Sequence, residues 1–309
     1  MYYIRGENQE SISEQVGVTR SMVSRMLSEA RELGMVKVQV ERPTDNKNKL
    51  SELLCKQYNL KRVEVVDISK PQSPLSMLGK VAARVLIENL QPGMTLGSSW
   101  GAHLSAVVDN IYLTTPIPQV KVVQLMGAMH TGVNANDGFA LVYRLAEKLN
   151  GHTIYLNSPY LVDDPVIANG LLENTEVKRA LEYGKNANLA LMGISTNQMT
   201  SPTNSAANYG FEEEIRLLTQ LGAVGNVCGL FYDQYGQIAS PEFQQRTIGI
   251  SKENLKNIPT RIGVTGGPER ILPILGALRG GFINVLVTDT STAQAVLQES
   301  ASANALIPS

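Results

Sequence analysis

Apolar and polar positions follow two different rhythms along this chain. Between Glu10 and Glu32 apolar residues recur every three or four positions, whereas from Val63 onward they come as short continuous runs separated by stretches of helical spacing. In the first region Ile12 and Val16 share one helical face, Gly17 can close that helix in a left-handed cap, and Val18 fills the gap before a second helix with Thr19 as its N-cap. Met22, Val23, Met26, Leu27 and Ala30 then form one apolar stripe, while Arg20, Ser21, Ser24, Arg25 and Ser28 face away. Gly34 ends the helix, and Val36, Val38 and Val40 alternate with Lys37, Gln39 and Glu41 as a half-exposed strand. Two short helices, a tight turn and a strand predict a winged helix-turn-helix. Such a domain needs a further helix in front of the pair. Tyr2, Tyr3 and Ile4 read as the tail of a truncated one, so either the natural protein is expected to start upstream or this form is expected to bind DNA poorly.

Arg42-Pro43-Thr44-Asp45-Asn46-Lys47-Asn48-Lys49 is a polar break and the candidate linker, dividing the chain into a DNA-binding unit over 1–45 and a larger unit over 46–309. Leu50, Leu53, Leu54 and Tyr58 predict a connecting helix, which either pairs with a second subunit or buries against its own domain. Strand-like runs follow at Val63–Val66, Met94–Gly97, Val120–Leu125, Leu189–Gly193, Ile262–Val264 and Asn284–Thr288, with helical patterns at Leu78–Leu90, Ala140–Leu149, Glu213–Leu221 and Pro273–Leu278. Buried runs alternating with helices predict an α/β domain built on a parallel sheet covered on both faces. The tail after Gln298 has no pattern and is expected to fray.

A chain of 309 residues with a formal net charge of −1 suits a small domain plus a larger one. The first 42 residues carry six basic and six acidic side chains, so DNA binding rests on local placement rather than on a bulk positive field. Thr19, Arg20, Ser21, Ser24, Arg25 and Lys37 are the candidate DNA contacts, with arginine reading guanine edges and serine reaching phosphate or base. Cys55 and Cys228 have no partner at metal or redox spacing, which predicts reduced thiols in a cytoplasmic protein. No signal peptide and no apolar run of about 18 residues is visible, so no membrane partner is expected. Neither is a cofactor or a metal. His103, His130 and His152 lack ligand spacing, and His130 reads as an ordinary loop histidine.

In a parallel sheet the ligand sits beyond the carboxyl ends of the strands. Four segments there carry candidate chemistry. Gly97-Ser98-Ser99-Trp100-Gly101 opens a helix at about Ala102 and offers backbone N–H groups, two hydroxyls and the only tryptophan to an anion such as a sugar phosphate. Gly127 and Ala128 end a second strand with close backbone approach at the glycine. Gly222–Gly229 reads as flexible backbone, with Asn226 and Asp233 as planar polar groups for a sugar. Finally, Gly266-Gly267-Pro268-Glu269-Arg270 opens another helix, with Arg270 able to fork onto phosphate and Glu269 as a helix cap.

The chain resembles the SorC family of bacterial transcriptional regulators over nearly its whole length. The motifs that carry the resemblance are S-x-V-S-R-x-L-x-x-A-R-x-x-G-x-V from Ser21 to Val36, G-x-S-W-G, V-Q-L-x-G, G-A-V-G, F-x-D-x-x-G, R-x-I-G-I, and A-L-R-G-G-x-I-N-V-L-V-T-D from Ala277 to Asp289. The resemblance implies a large domain akin to ribose-5-phosphate isomerase, glucosamine-6-phosphate deaminase and coenzyme A transferases. It also implies a phosphorylated sugar or related metabolite as effector, operator DNA of carbohydrate genes as partner, and a homo-oligomer, dimer or tetramer. By matching position Ser98, Ser99, Gly101, Gly127, Asn226 and Arg270 line the effector pocket. Ala128 departs from a frequent second glycine, Asn226 from a common aspartate and Arg270 from a common lysine. A neutral amide grips sugar hydroxyls less strongly than a carboxylate, and arginine favours a bidentate phosphate grip while excluding amine chemistry.

The principal alternative is an isomerase- or deaminase-like enzyme, for which Asp233 is the carboxylate with a plausible aim. Fold kinship alone does not carry that activity.

Overall fold

The computed structural model describes residues 1–33, 35–36, 45–68, 73–113, 115–128, 138–198 and 212–305. The chain divides into two compact units, Met1–Thr44 and Asp45–Ser309.

The first unit contains α1 (Tyr2–Arg5), α2 (Gln9–Val16) and α3 (Arg20–Glu32). The Asn8 side chain caps α2 by accepting from the Ser11 N–H at 2.8 Å, and Gly17 closes it at φ 73°. Thr19 caps α3, accepting from the Met22 N–H at 3.3 Å. Ile12 and Val23 are the buried apolar anchors. The expected stripe is only half covered, because Met22 and Met26 are 43% and 54% exposed. α1 is a single turn, and Met26 lines an open apolar groove of about 330 Å³ with Tyr2, Tyr3, Val16 and Val18. Tyr3 also receives the Arg31 guanidinium, whose Nε donates to its hydroxyl at 2.6 Å. Gly34, Lys37 and the rest of the predicted wing beyond Val36 lie outside the described residues.

The second unit runs α4 (Asp45–Tyr58), β1 (Arg62–Val66), α5 (Pro74–Asn89), β2 (Thr95–Ser98), α6 (Ala102–Asp109), β3 (Lys121–Gln124), α7 (Gly138–Lys148), β4 (His152–Ile154), α8 (Pro165–Glu173), α9 (Thr175–Lys185) and β5 (Leu189–Gly193). It continues through β6 (Ser195–Thr196), α10 (Glu212–Gln220), β7 (Gly225–Val227), β8 (Leu230–Tyr232), α11 (Pro241–Gln244), α12 (Lys252–Asn257), β9 (Thr260–Val264), α13 (Ile271–Arg279), β10 (Val285–Asp289) and α14 (Thr290–Ala305). Among the described residues seven strands pair in parallel in the order β1-β10-β9-β5-β2-β3-β4. One face carries Leu96, Val122, Leu191 and Val264 against Leu86, Leu104, Leu141 and Leu145 of α5, α6 and α7. The other carries Val123, Leu125, Ala190 and Leu286 against Leu54, Leu255, Ile274 and Val296. Burial on both faces explains why the strands read as continuous apolar runs.

Four expectations change. Asp45 already lies in α4, so the polar break ends as a helix, and Leu54 and Leu50 bury against their own domain while Leu53 remains 45% exposed. The edge strand β4 carries His152 and has no apolar run. The Gly222–Gly229 segment is ordered as half of an antiparallel sheet, β6-β7-β8, with a tight turn in which Cys228 and Gly229 hold φ 50° and 73°. Its glycine and asparagine content belongs to that turn and to close packing: a Cβ on Gly225 would fall 2.2 Å from the Ser195 carbonyl oxygen. The tail does not fray at Gln298. Helix α14 continues to Ala305, and buried Ser300 accepts hydrogen bonds from Gln57 Nε2 at 2.5 Å and the Tyr58 hydroxyl at 2.8 Å. Residues 306–309 lie outside the described set.

Candidate functional site

Strands β9, β5, β2 and β3 are neighbours and parallel, so their carboxyl ends form one edge. Gly97 and Ser98 end β2, and Ser99 and Trp100 lead into Gly101, the first residue of the turn into α6. Gly101 sits at φ 123°, a conformation that favours glycine, and among the described residues no side chain caps the helix it opens. The N–H groups of that first turn are therefore available.

The flanking residues are buried more deeply than a loop open to solvent would be. Ser98 donates to the Ser99 carbonyl at 2.9 Å, and Ser99 Oγ accepts from the Gly193 N–H at 3.3 Å and shares a hydrogen bond with the Cys228 thiol. Both serines are nearly fully buried, so the expected pair of open hydroxyls is occupied by the protein itself. Gly97 faces the other way, where a Cβ would meet Leu125 Cδ2 at 2.7 Å. Gly127 does make the close backbone approach: a Cβ there would lie 2.5 Å from the Pro159 carbonyl oxygen. Ala128 donates its N–H to Ser158 O at 2.9 Å and accepts from the Tyr160 N–H at 2.9 Å.

The Gly266–Gly267 turn is clamped from below. Asp289 Oδ2 and Thr292 Oγ1 both accept from the Gly267 N–H, at 3.0 and 2.8 Å, so this N–H is not offered to an anion. Burial acts to raise the Asp289 carboxyl, but hydrogen bonds from Ser291, Thr292 and Gly267 outweigh it and hold the group below its ordinary range. Arg270 is 1% exposed; its Nη1 donates to Ile194 O at 2.7 Å and its Nε lies 3.6 Å from Glu269 Oε1. It does not fork into solvent, and Glu269 pairs with it inside the 3₁₀ turn Pro268–Arg270 rather than capping a helix. Burial, and then the Arg270 charge, lower the pKa of His103 to about 3, which keeps this imidazole neutral.

Asp233 is turned away from the edge. Its Oδ1 accepts from the Tyr235 and Gln237 N–H groups, both at 2.9 Å, and closes a turn. Asn226 is half-buried and pairs with Ser195, just beyond the end of β5. His130 lies outside the described residues. Beside Glu269, a cavity of about 420 Å³ is lined by Thr196, Asn197, Thr219, Val224 and Leu272.

Sequence reasoning passed over two polar groups of this edge. Asp289 had a readable signal, an aspartate at a strand end followed by Thr-Ser-Thr, which is a helix-cap pattern. Gln124, at the end of β3, had none beyond its place in V-Q-L-x-G.

In the first unit Thr19, Arg20, Ser21, Ser24 and Arg25 are all exposed, on or next to the start of α3. Among the described residues no helix is long and apolar enough to cross a membrane.

The family described as "Putative sugar-binding domain" matches residues 42–298. The sorbitol operon regulator of Klebsiella pneumoniae is 29% identical over 304 residues, covering 96% of this chain and 95% of that protein. The deoxyribonucleoside regulator of Bacillus subtilis (strain 168) is 30% identical over 302 residues, covering 97% and 95%. The crystal structure of the full-length Klebsiella regulator SorC superposes with a TM-score of 0.81, again covering 96% and 95%. These relatives are transcriptional regulators and not enzymes. Residues 42–298 match a sugar-binding family, and regulators align over nearly the whole chain including its helix-turn-helix; the chain belongs to the SorC family of sugar-binding transcriptional regulators.

Proposed function

We propose that this regulator senses a phosphorylated sugar at the carboxyl edge of β2, β3, β5 and β9 and reads operator DNA through α3. The observation that carries the effector reading is the uncapped start of α6 at Gly101, in the middle of that edge and next to the ends of β3 and β5. A helix start with free N–H groups attracts an anion, and the buried Arg270 adds positive charge behind it. The proposed pocket keeps Trp100, Gly101, Gly127, Ala128, Asn226 and Gly266, with Arg270 behind it as a charge. It omits the Ser98 and Ser99 hydroxyls, Gly97, Asp233 and the Gly267 N–H, which are used internally.

Thr19, Arg20, Ser21, Ser24 and Arg25 form the proposed DNA-reading face, with Lys37 added from the sequence alone. Two such heads in a homo-oligomer, a dimer or a tetramer, would meet half-sites spaced by whole helical turns, and the protein would act in the cytoplasm. The effector binds one conformation better and so changes operator affinity.

A thermal-shift screen against phosphorylated sugars and their free forms tests this, because a ligand at a hundred times its dissociation constant adds about 2.7 kcal/mol. Stabilisation by phosphorylated compounds alone, with a matching change in operator affinity, is expected. If operator affinity is the same in the presence and absence of every one of them, the proposal fails.

A further inference from the structure

Gln124 is fully buried, yet among the described residues neither its Nε2 nor its Oε1 has a hydrogen-bond partner. An amide with both ends unused in a dry interior is costly, because water would have satisfied each atom in the unfolded chain. Its position is specific. Gln124 pairs in register with Ser98 in parallel β2 and β3, so the two side chains share the face covered by α6 and α7. The start of α7 closes on it: a Cβ built on Gly138 would lie 2.8 Å from Gln124 Nε2 and 3.0 Å from Trp100 Cδ1. The amide thus stands at the end of β3, with the indole and the beginning of α7 against it and the Gly101 turn following directly on Trp100.

We propose that Gln124 is the specificity-determining residue that reads a hydroxyl of the sugar whose phosphate binds at the start of α6. The chemistry fits one hydroxyl or two adjacent ones. A hydroxyl both donates and accepts, and the amide offers one acceptor and two donors within a single plane, whereas a carboxylate or an ammonium would offer only one kind. Trp100 beside it provides an apolar wall for the carbon skeleton. The inference rests on the effector reading given above and adds to it the discrimination between a hydroxylated sugar and its deoxy analogue. A site built to bond a hydroxyl rejects the analogue that lacks it, because the site's own polar atoms are then left unpaired.

The test is a cycle of two changes, one in the protein and one in the ligand. Ribose 5-phosphate and glucose 6-phosphate, each with its monodeoxy analogues, are titrated calorimetrically into the wild type, Gln124→Met and Gln124→Leu, with urea unfolding of each variant as a check on folding. For the wild type, one deoxy analogue should bind roughly tenfold to a hundredfold more weakly than its parent. In Gln124→Met that ratio should fall to near one, while the variant is at least as stable as the wild type because an unpaired buried amide has been replaced by an apolar group. A purely structural glutamine would weaken parent and analogue alike and leave the ratio intact. If both variants keep the wild-type ratio, or if the wild type binds every parent and analogue equally, the inference is overturned while the phosphorylated-sugar reading stands. If the wild type binds none of these phosphates, the inference is overturned, while the phosphorylated-sugar reading stands or falls by the wider screen described above.

Discussion

Replacing Asp289 with asparagine keeps the shape of the side chain and weakens what holds the Gly266–Gly267 turn to α14, leaving the direct Gly267 N–H to Thr292 Oγ1 bond in place. The wild-type carboxylate accepts from the Gly267 N–H at 3.0 Å and Thr292 Oγ1 at 2.6 Å on Oδ2, and from the Thr292 N–H at 2.9 Å and Ser291 Oγ on Oδ1. An asparagine amide must point its NH₂ group at one of the two backbone N–H donors, whichever way it is turned. One backbone hydrogen bond is therefore lost outright and the others lose their charge. Hydrogen bonds to a charged group contribute roughly 1.5–3 kcal/mol each, so losing one and weakening the rest should lower stability by about 2–4 kcal/mol. The pH dependence has a definite sign. A carboxyl held below its ordinary 3.8 stabilises the fold fully above that pH and ceases to do so as pH falls through its lowered folded value. Urea unfolding of the full chain should therefore show a gap between wild type and Asp289→Asn that is flat from about pH 8 to pH 5 and narrows only below about pH 4. A gap under about 1 kcal/mol at pH 7 would refute the clamp, since such a loss is within reach of a single neutral hydrogen bond.

Further outcomes follow from other parts of the structure. His103, with its pKa lowered to about 3, leaves the unfolded chain binding the extra proton, so stability should fall as pH drops from about 6.5 toward 3. The slope this histidine contributes approaches 1.4 kcal/mol per pH unit; nuclear magnetic resonance should show no titration of the His103 imidazole between pH 5 and 8, and a His103 titration near 6.5 would contradict its burial beside Arg270. Thr19→Ala should destabilise α3 by about 1 kcal/mol and Thr19→Gly by a few tenths, read as faster hydrogen exchange at Met22 and Val23; equal effects would remove the capping role. Ser300→Ala leaves the Gln57 amide and the Tyr58 hydroxyl without their shared acceptor and should cost about 1–3 kcal/mol in urea unfolding, whereas a frayed tail would tolerate it.

Legibility followed burial. Strands buried on both faces, such as Leu189–Gly193 and Val285–Asp289, announce themselves as apolar runs, and the six runs read from the chain correspond to six strands of the sheet. The seventh, His152–Ile154, lies at the edge with one partner and needs no apolar pattern. The hairpin at Cys228–Gly229 looked like loose backbone because its glycines answer to tertiary neighbours: a Cβ on Gly229 would fall 2.3 Å from Tyr160 Cε2, and nothing in the local sequence records Tyr160. The carboxyl edge itself was legible from strand order, but which groups face outward was not. Ser98 and Ser99 look like donors for an anion until the Gly193 N–H and the Cys228 thiol are seen beside Ser99. Gln124 is the converse: it reads as an inward strand residue, and its unused amide becomes visible only when Trp100 and Gly138 are brought next to it.

The union of Gln57 and Tyr58 with Ser300 ties the last turn of α4 to α14, just as buried Leu50 and Leu54 tie its middle to the same domain. Asp289 joins the Gly267 turn to the start of α14, so the turn, α14 and the end of α4 form one connected strut within the larger domain.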